Sequence, residues 1–244
     1  AILSYNEIDR YNFLDNSDIR FANFYGATLI GIDFTKIKNK SLAGADLTKA
    51  SLAWTKLSGV DLSGVILEKT NFWKADLSSQ DFTVISKTTS EGSIFIDANL
   101  SNSNFEGVDM RPSLIDDINF KNKANLKNLE GQELLDSIFP VQNVNRHIIS
   151  KEVRGNDLVV NVIFFNNFNS ANLENANFKN AHLWFVNFYS VNLTNANLSG
   201  ADLSKAHLGN ADLSYANLEG AILDNAVITG ANLKCINHQI CESD

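Results

Sequence analysis

From Phe168 to Leu233 an apolar residue returns at every fifth position without a slip, through Leu173, Phe178, Leu183, Phe188 and onward to Leu223 and Ile228, fourteen positions in all. Two residues before nearly every one stands a small side chain, as at Ala171, Ala176, Ala181 and each step from Ala196 to Ala231, and Asn or Asp usually lies between. The unit reads A-(N/D)-(L/F)-x-x. An amphipathic helix needs apolar residues at a spacing of about 3.6, and a half-buried strand needs alternation, so a count of five fits neither. The many Asn, Asp and Gly residues also weaken a helix, and no heptad survives. In an extended segment positions two apart share a face, so the small and the large residue point to one interior while the Asn or Asp points out. A chain that turns once per unit builds a solenoid, whose units bury their apolar faces only against their neighbours.

The motif resembles that of the pentapeptide-repeat family, and the resemblance covers most of the chain. It implies an all-β fold, a right-handed quadrilateral β-helix in which four repeats make one square coil of about twenty residues. Residues twenty apart then stack at about 4.8 Å. Asn177, Asn197 and Asn217 form one outer column, and such Asn ladders explain the Asn content with no ligand required.

The first half carries the same code in three frames: Ile19 to Phe34, Leu42 to Phe82, and Phe95, Leu100, Phe105, Met110, Ile115 and Phe120. The frame jumps at Lys36–Lys40 and at Ser86–Gly92, which predicts corner loops near 36–40 and 83–92. The expected organisation is a first solenoid over 1–126, a non-repeat insertion over 127–165, a regular solenoid over 166–234 and a tail over 235–244. Within the insertion 129–138 reads as a short helix stopped by Pro140, and Arg146–Val153 and Leu158–Phe165 read as a hairpin around Arg154-Gly155-Asn156-Asp157. The insertion either interrupts one solenoid or separates two, as a cap or plug between stacks or as a docking element for a partner.

Trp184, Phe185 and Tyr189 occupy nominally outward positions, and Phe164 and Phe165 are expected one coil below. These five residues form a candidate protein-binding patch, unless the insertion folds over them. Trp54 and Trp73 also fall outward and are read as isolated.

Composition narrows the function. The chain has 244 residues, 44% of them hydrophobic, and a net charge of −8. No apolar run is long enough for a membrane span, and no signal-peptide pattern is visible. The acidic balance argues against direct nucleic-acid binding. The two cysteines, Cys235 and Cys241, are candidates for a disulfide or stand as two free thiols; with His238 they supply too few ligands for structural zinc. The compartment is left open between bacterial cytoplasm and, if the cysteines are paired, a periplasm or lumen. The histidines His147, His182, His207 and His238 stand in no nucleophile–base–orienter arrangement, and no Gly-rich phosphate loop occurs. An enzyme is not expected, nor a metal or cofactor.

Two functional readings remain. The first is a non-catalytic binding or scaffolding rod for a protein partner. The second comes from the resemblance: some family members mimic B-form DNA and protect gyrase from quinolones. That mechanism needs a continuous acidic surface. In the regular block the outward acids Glu174, Asp202, Asp212, Glu219 and Asp224 never stack at twenty, and in the first half Asp61 and Asp81 do so while Asp46 and Asp76 lie on other faces.

Overall fold

A computed structural model describes residues 2–3, 14–85, 92–121, 123–129 and 146–242. Each regular unit makes one parallel bridge at its Asn/Asp position to the unit one coil away, as in Asn167–Asn187–His207–Val227 and Asn177–Asn197–Asn217. The bridges run at an offset of 20, so four five-residue units close one coil with four sides. Sides one to four are numbered here by Phe168, Leu173, Phe178 and Leu183.

Local chemistry explains the corners. The last residue of each unit is left-handed, with φ of 57° at Asn175, 55° at Asn180 and 67° at Gly200. Asn and Gly accept this conformation at least cost. The Ala176 amide then closes the turn by donating to the Leu173 carbonyl at 3.0 Å. The outer Asn or Asp accepts the amide two residues on, as Asn192 does from Thr194 and Asp202 from Ser204, both at 3.0 Å. This Asx turn is why the position demands Asn or Asp. Asn has a spare donor, and ladders follow: Asn192 to Asn172 to Asn99 to Asp76, and Asn197 to Asn177 to Asn104 to Asp81. Asp only accepts, so it ends each ladder.

Inside, the Leu, Phe and Ala positions are buried from Phe168 to Ala221, and in the last coil Leu223, Ile228, Ala231 and Leu233 are partly buried. Two phenylalanine columns run through the core. On side one Phe72, Phe95, Phe168 and Phe188 stack with ring centroids 5.2, 4.6 and 5.2 Å apart. On side three Phe82, Phe105 and Phe178 stack at 4.4 and 4.6 Å.

The offset lengthens in three places. It becomes 23 between Asp33 and Lys56, where Phe34–Lys36 and Lys38–Lys40 form consecutive 3₁₀ turns. Ile37 sits between these turns and is buried, while Lys36, Lys38, Asn39 and Lys40 around it are exposed. The offset is 23 again between Asn71 and Ile94; there Phe82–Val84 is a 3₁₀ turn and Ile85 is buried, while 86–91 of the expected loop lie outside the described residues. Between Ile94 and Asn167 the offset is 73, which exceeds the regular 20 by 53 residues.

The two blocks nevertheless touch, since Phe95 lies on Phe168 and Phe105 on Phe178. The solenoid is therefore one continuous stack, and the insertion is not a plug between two. The repeat frame also ends earlier than expected, at Met110: Ile115 and Phe120 belong to a strand of the insertion. The cause is Pro112, which falls on the left-handed corner position that proline cannot adopt.

Five strands longer than a single bridge occur among the described residues. β1 (Ile2–Leu3) pairs in parallel with β2 (Thr28–Leu29) at the first coil. β3 (Ser113–Phe120), β4 (Arg146–Arg154) and β5 (Asp157–Phe164) form an antiparallel sheet in the order β3-β5-β4. β4 and β5 turn tightly at Gly155, whose φ is 64°. The expected helix over 129–138 lies outside the described residues apart from Leu129, which follows a 3₁₀ turn over Ala124–Asn128.

Asn166 seals the junction. It is buried, its side-chain oxygen accepts the Ser93 amide at 3.0 Å and its side-chain nitrogen donates to the Met110 carbonyl at 3.1 Å. Asn166→Ala should cost about 2–4 kcal/mol, because two buried hydrogen bonds across the junction would be lost; urea denaturation measures it, and a cost under about 0.5 kcal/mol would contradict this role. At the far end a disulfide joins Cys235 and Cys241, and Ile240 and Cys241 pack against the last coil. Reducing it should lower stability by about 2 kcal/mol, the entropy of a loop this short. A melt with and without dithiothreitol, using Cys235→Ser/Cys241→Ser as the reference, checks this.

Candidate interaction surface

Most polar side chains of the rod serve the scaffold, as the Asx turns and ladders show. What the scaffold does not explain stands at the corners. The corner between sides four and one carries Trp184 and Phe185, whose rings meet edge to face at 4.8 Å. The Lys205 ammonium, one coil on, lies 5.3 Å from both rings. This pair is half-buried. Tyr189 stands on the next corner, between sides one and two, so the expected cluster is split across side one. Its ring stacks on His207 at 5.3 Å, and its hydroxyl accepts from Asn210 at 2.7 Å.

Phe164 and Phe165 are not one coil below Trp184 and Phe185. The bridge from His182 to Asp109 places Arg111 there instead, because the offset across the insertion is 73 rather than 20. Phe164 belongs to β5, opposite Ser113 and Arg146, and Phe165 is half-buried where β5 rejoins the coil.

Trp54 and Trp73 are not isolated. Their rings meet edge to face at 5.6 Å on the corner between sides one and two, with Lys74 at 4.9 Å from each. Trp54 is 53% exposed and Trp73 40%. The Trp73 indole donates to Asp97 at 3.2 Å. The signal was in the count: Trp54 and Lys74 are twenty apart, so register alone puts one above the other. Trp184 and Phe185 come from one coil and Lys205 from the next, whereas Trp54 comes from one coil and Trp73 and Lys74 from the next; such cation–π contacts contribute about 0.5–1 kcal/mol at exposed sites.

These clusters also break the local rule. Trp54 and Phe185 occupy left-handed corners, with φ of 61° and 64°, where Asn or Gly would be favoured by about 1–2 kcal/mol. Bulky rings held against backbone preference point away from a purely structural role.

Acids on the surface are held by local donors. The Arg111 guanidinium, with Nε 2.9 Å from Asp109, holds that carboxyl below its ordinary value. The Ser63 hydroxyl and amide lower Asp61, and Arg20 brings Asp18 from 3.8 to about 2. A carboxyl whose folded pKa is depressed stabilises the fold above its unfolded pKa and loses that contribution as pH falls through the folded one. The melting temperature should hold above pH 3.8 and fall between 3.8 and about 2. Asp109→Asn should flatten that fall, and an identical pH profile would refute the assignment.

Among the described residues no group of His, Cys, Asp and Glu could hold a metal ion, and no helix is long and apolar enough to cross a membrane. Both sulfurs of the C-x2-H-x2-C stretch are tied in the disulfide, and His238 Nδ1 accepts the Ile240 amide at 3.3 Å.

A square coil with one bridge per five residues and a left-handed residue at each corner defines a repeat protein of the quadrilateral β-helix class. The family model for pentapeptide repeats matches eight copies, over residues 34–64, 45–83, 82–111, 167–204 and 201–234. The chain belongs to the pentapeptide-repeat family, and its solenoid is the right-handed quadrilateral β-helix of that family. No curated protein matches it. Among solved structures it is similar to QnrB1, a plasmid-mediated fluoroquinolone resistance protein, at 15% identity over 92% of this chain and 88% of that one, with a TM-score of 0.40. HetL, involved in heterocyst differentiation regulation in the cyanobacterium Nostoc sp. strain PCC 7120, is 21% identical over 96% of this chain and 97% of its own, with a TM-score of 0.26. A thylakoid-lumen protein of Arabidopsis thaliana is 39% identical over 27% of this chain and 50% of its own, with a TM-score of 0.18.

Proposed function

We propose that the protein is a non-catalytic binding or scaffolding rod that presents side one and its two corners to a protein partner. The observation that carries this reading is the placement of Trp54, Trp73, Trp184 and Phe185 at corners, under lysines, where the scaffold has no use for them. Rings of this kind dominate protein interfaces when a partner covers them. The disulfide supports an oxidising compartment for that encounter. The test is capture of a partner from the native host by the full chain. Trp184→Ala should lose the partner while the melting temperature stays within a few degrees. Loss of folding would assign Trp184 to the core instead, and an unchanged catch would remove the patch from the interface.

Gyrase protection by DNA mimicry is the second reading. The surface supports it less, because the Asp61–Asp81 column continues as the neutral Asn104, Asn177, Asn197 and Asn217. A supercoiling assay with purified gyrase and a quinolone is expected to show no protection at micromolar protein; dose-dependent protection would reinstate it.

A further inference from the structure

We infer that side one is a docking face for an acidic polypeptide segment, a conclusion that rests on the binding-rod reading and names the chemistry of its partner. The argument begins with charge. Following the bridges, the described units of side one contain one acid, Asp97. Side two carries Asp33, Asp76, Glu174 and Asp212, and side three Asp61, Asp81, Glu106 and Glu219. On a chain of net charge −8 this leaves one side free of the general repulsion that would turn an acidic partner away.

The edges of the same side supply attraction. Lys49, Lys69 and Lys205 stand along the corner that leads into side one, where Lys69 is paired with Glu68 at 2.6 Å and Asp224 is the other acid, and Lys74 stands on the corner that leaves it. Lys74 and Lys205 each cap an aromatic pair, and Lys49 lies 5.0 Å from the Tyr25 ring on the same leading corner. The two principal clusters face each other diagonally across side one, three coils apart, or roughly 14 Å at the spacing of stacked strands. A segment laid across the side would meet a ring pair and an ammonium at each end. Its carboxylates would pair with lysines already positioned by the rings beneath them, and its apolar side chains would cover the rings.

The test uses fluorescein-labelled random copolymers on the full chain, read by fluorescence anisotropy. A Glu–Tyr copolymer should bind, and an uncharged Gln–Tyr copolymer should not. Lys74→Glu and Lys205→Glu, made singly, should each weaken binding by about threefold or more. Lys179→Glu, the same charge change on side three, should leave it unchanged. Trp54→Asn/Phe185→Asn should weaken binding without loss of thermal stability, since Asn suits both left-handed corners. Equal binding of the two copolymers would overturn the inference by showing that carboxylates are not read, and equal loss with Lys179→Glu would overturn it by showing a response to net charge alone. If the lysine reversals have no effect while Trp184→Ala still loses the captured host partner, the acidic class is wrong and the binding rod stands. If none of these variants changes either readout, both fall.

Discussion

A chain lacking residues 113–165, with Pro112 replaced by glycine, is expected to fold as an uninterrupted rod. The deletion removes the 53 residues by which the 73-residue offset exceeds one coil. It brings Met110, Arg111 and the new glycine directly before Asn166, Asn167 and Phe168, which restores the five-residue count. Glycine is needed because the corner is left-handed and proline is excluded there. The contacts across the junction already exist: Phe95 on Phe168, Phe105 on Phe178, and Asn166 bonded to Ser93 and Met110. Far-ultraviolet circular dichroism and a cooperative melt near that of the full chain are the expected results. An aggregated or unfolded product would show that the β3-β5-β4 sheet holds the coil together rather than decorating it. The same variant asks whether the sheet has a part in binding, because side one and its corner clusters would remain.

Phe168→Ala should produce the largest loss of stability of any single core substitution, about 3–5 kcal/mol. Phe168 is fully buried, and its ring is stacked between Phe95 and Phe188 and meets Phe105 edge to face at 6.1 Å. It joins the phenylalanine columns at the point where the two sequence blocks meet. The stack is closed above and below, so the cavity cannot collapse easily, and rings on both sides lose a partner. Phe168→Leu keeps most of the volume and should cost less, about 1 kcal/mol. Equilibrium denaturation in urea gives both values. A cost for alanine no larger than for leucine would mean that the junction relaxes and the columns are not continuous.

Much of this was legible before any coordinates. The count of five prescribes which residues enter the core and which face out, and Phe168 to Ala221 follow it, with the inward residues of the last coil only partly buried. The hairpin was legible from its two apolar runs and the Gly155-Asn156 turn between them. The end of the repeat frame at Met110 was not, since Ile115 and Phe120 keep the spacing by coincidence; what stops the coil is the backbone of Pro112, which a count of apolar residues does not register. The candidate site was legible only in part. Trp184 and Phe185 stood out as a pair, but Lys205 and Lys74 look like ordinary charged corner residues until one coil is laid on the next. Trp54 and Trp73 seemed separate because they are nineteen apart in sequence and occupy different places in their units.

The sequence by itself determined the cross-section of the molecule: a square coil, an apolar interior of Leu, Phe and Ala, and outer Asn and Asp closing their own turns. It could do so because every unit repeats the same local chemistry, so one unit predicts the next. Only the tertiary structure decided how the coils are aligned across the three places where the count slips. That alignment joins two blocks into one stack, moves Phe164 and Phe165 away from Trp184, and brings the lysine-capped rings to the borders of one acid-poor side. The reason is physical: an excursion of 3 or 53 residues leaves the spacing within each block intact while shifting which block residues lie one above another, and that shift is set by core packing and backbone pairing between residues far apart in sequence.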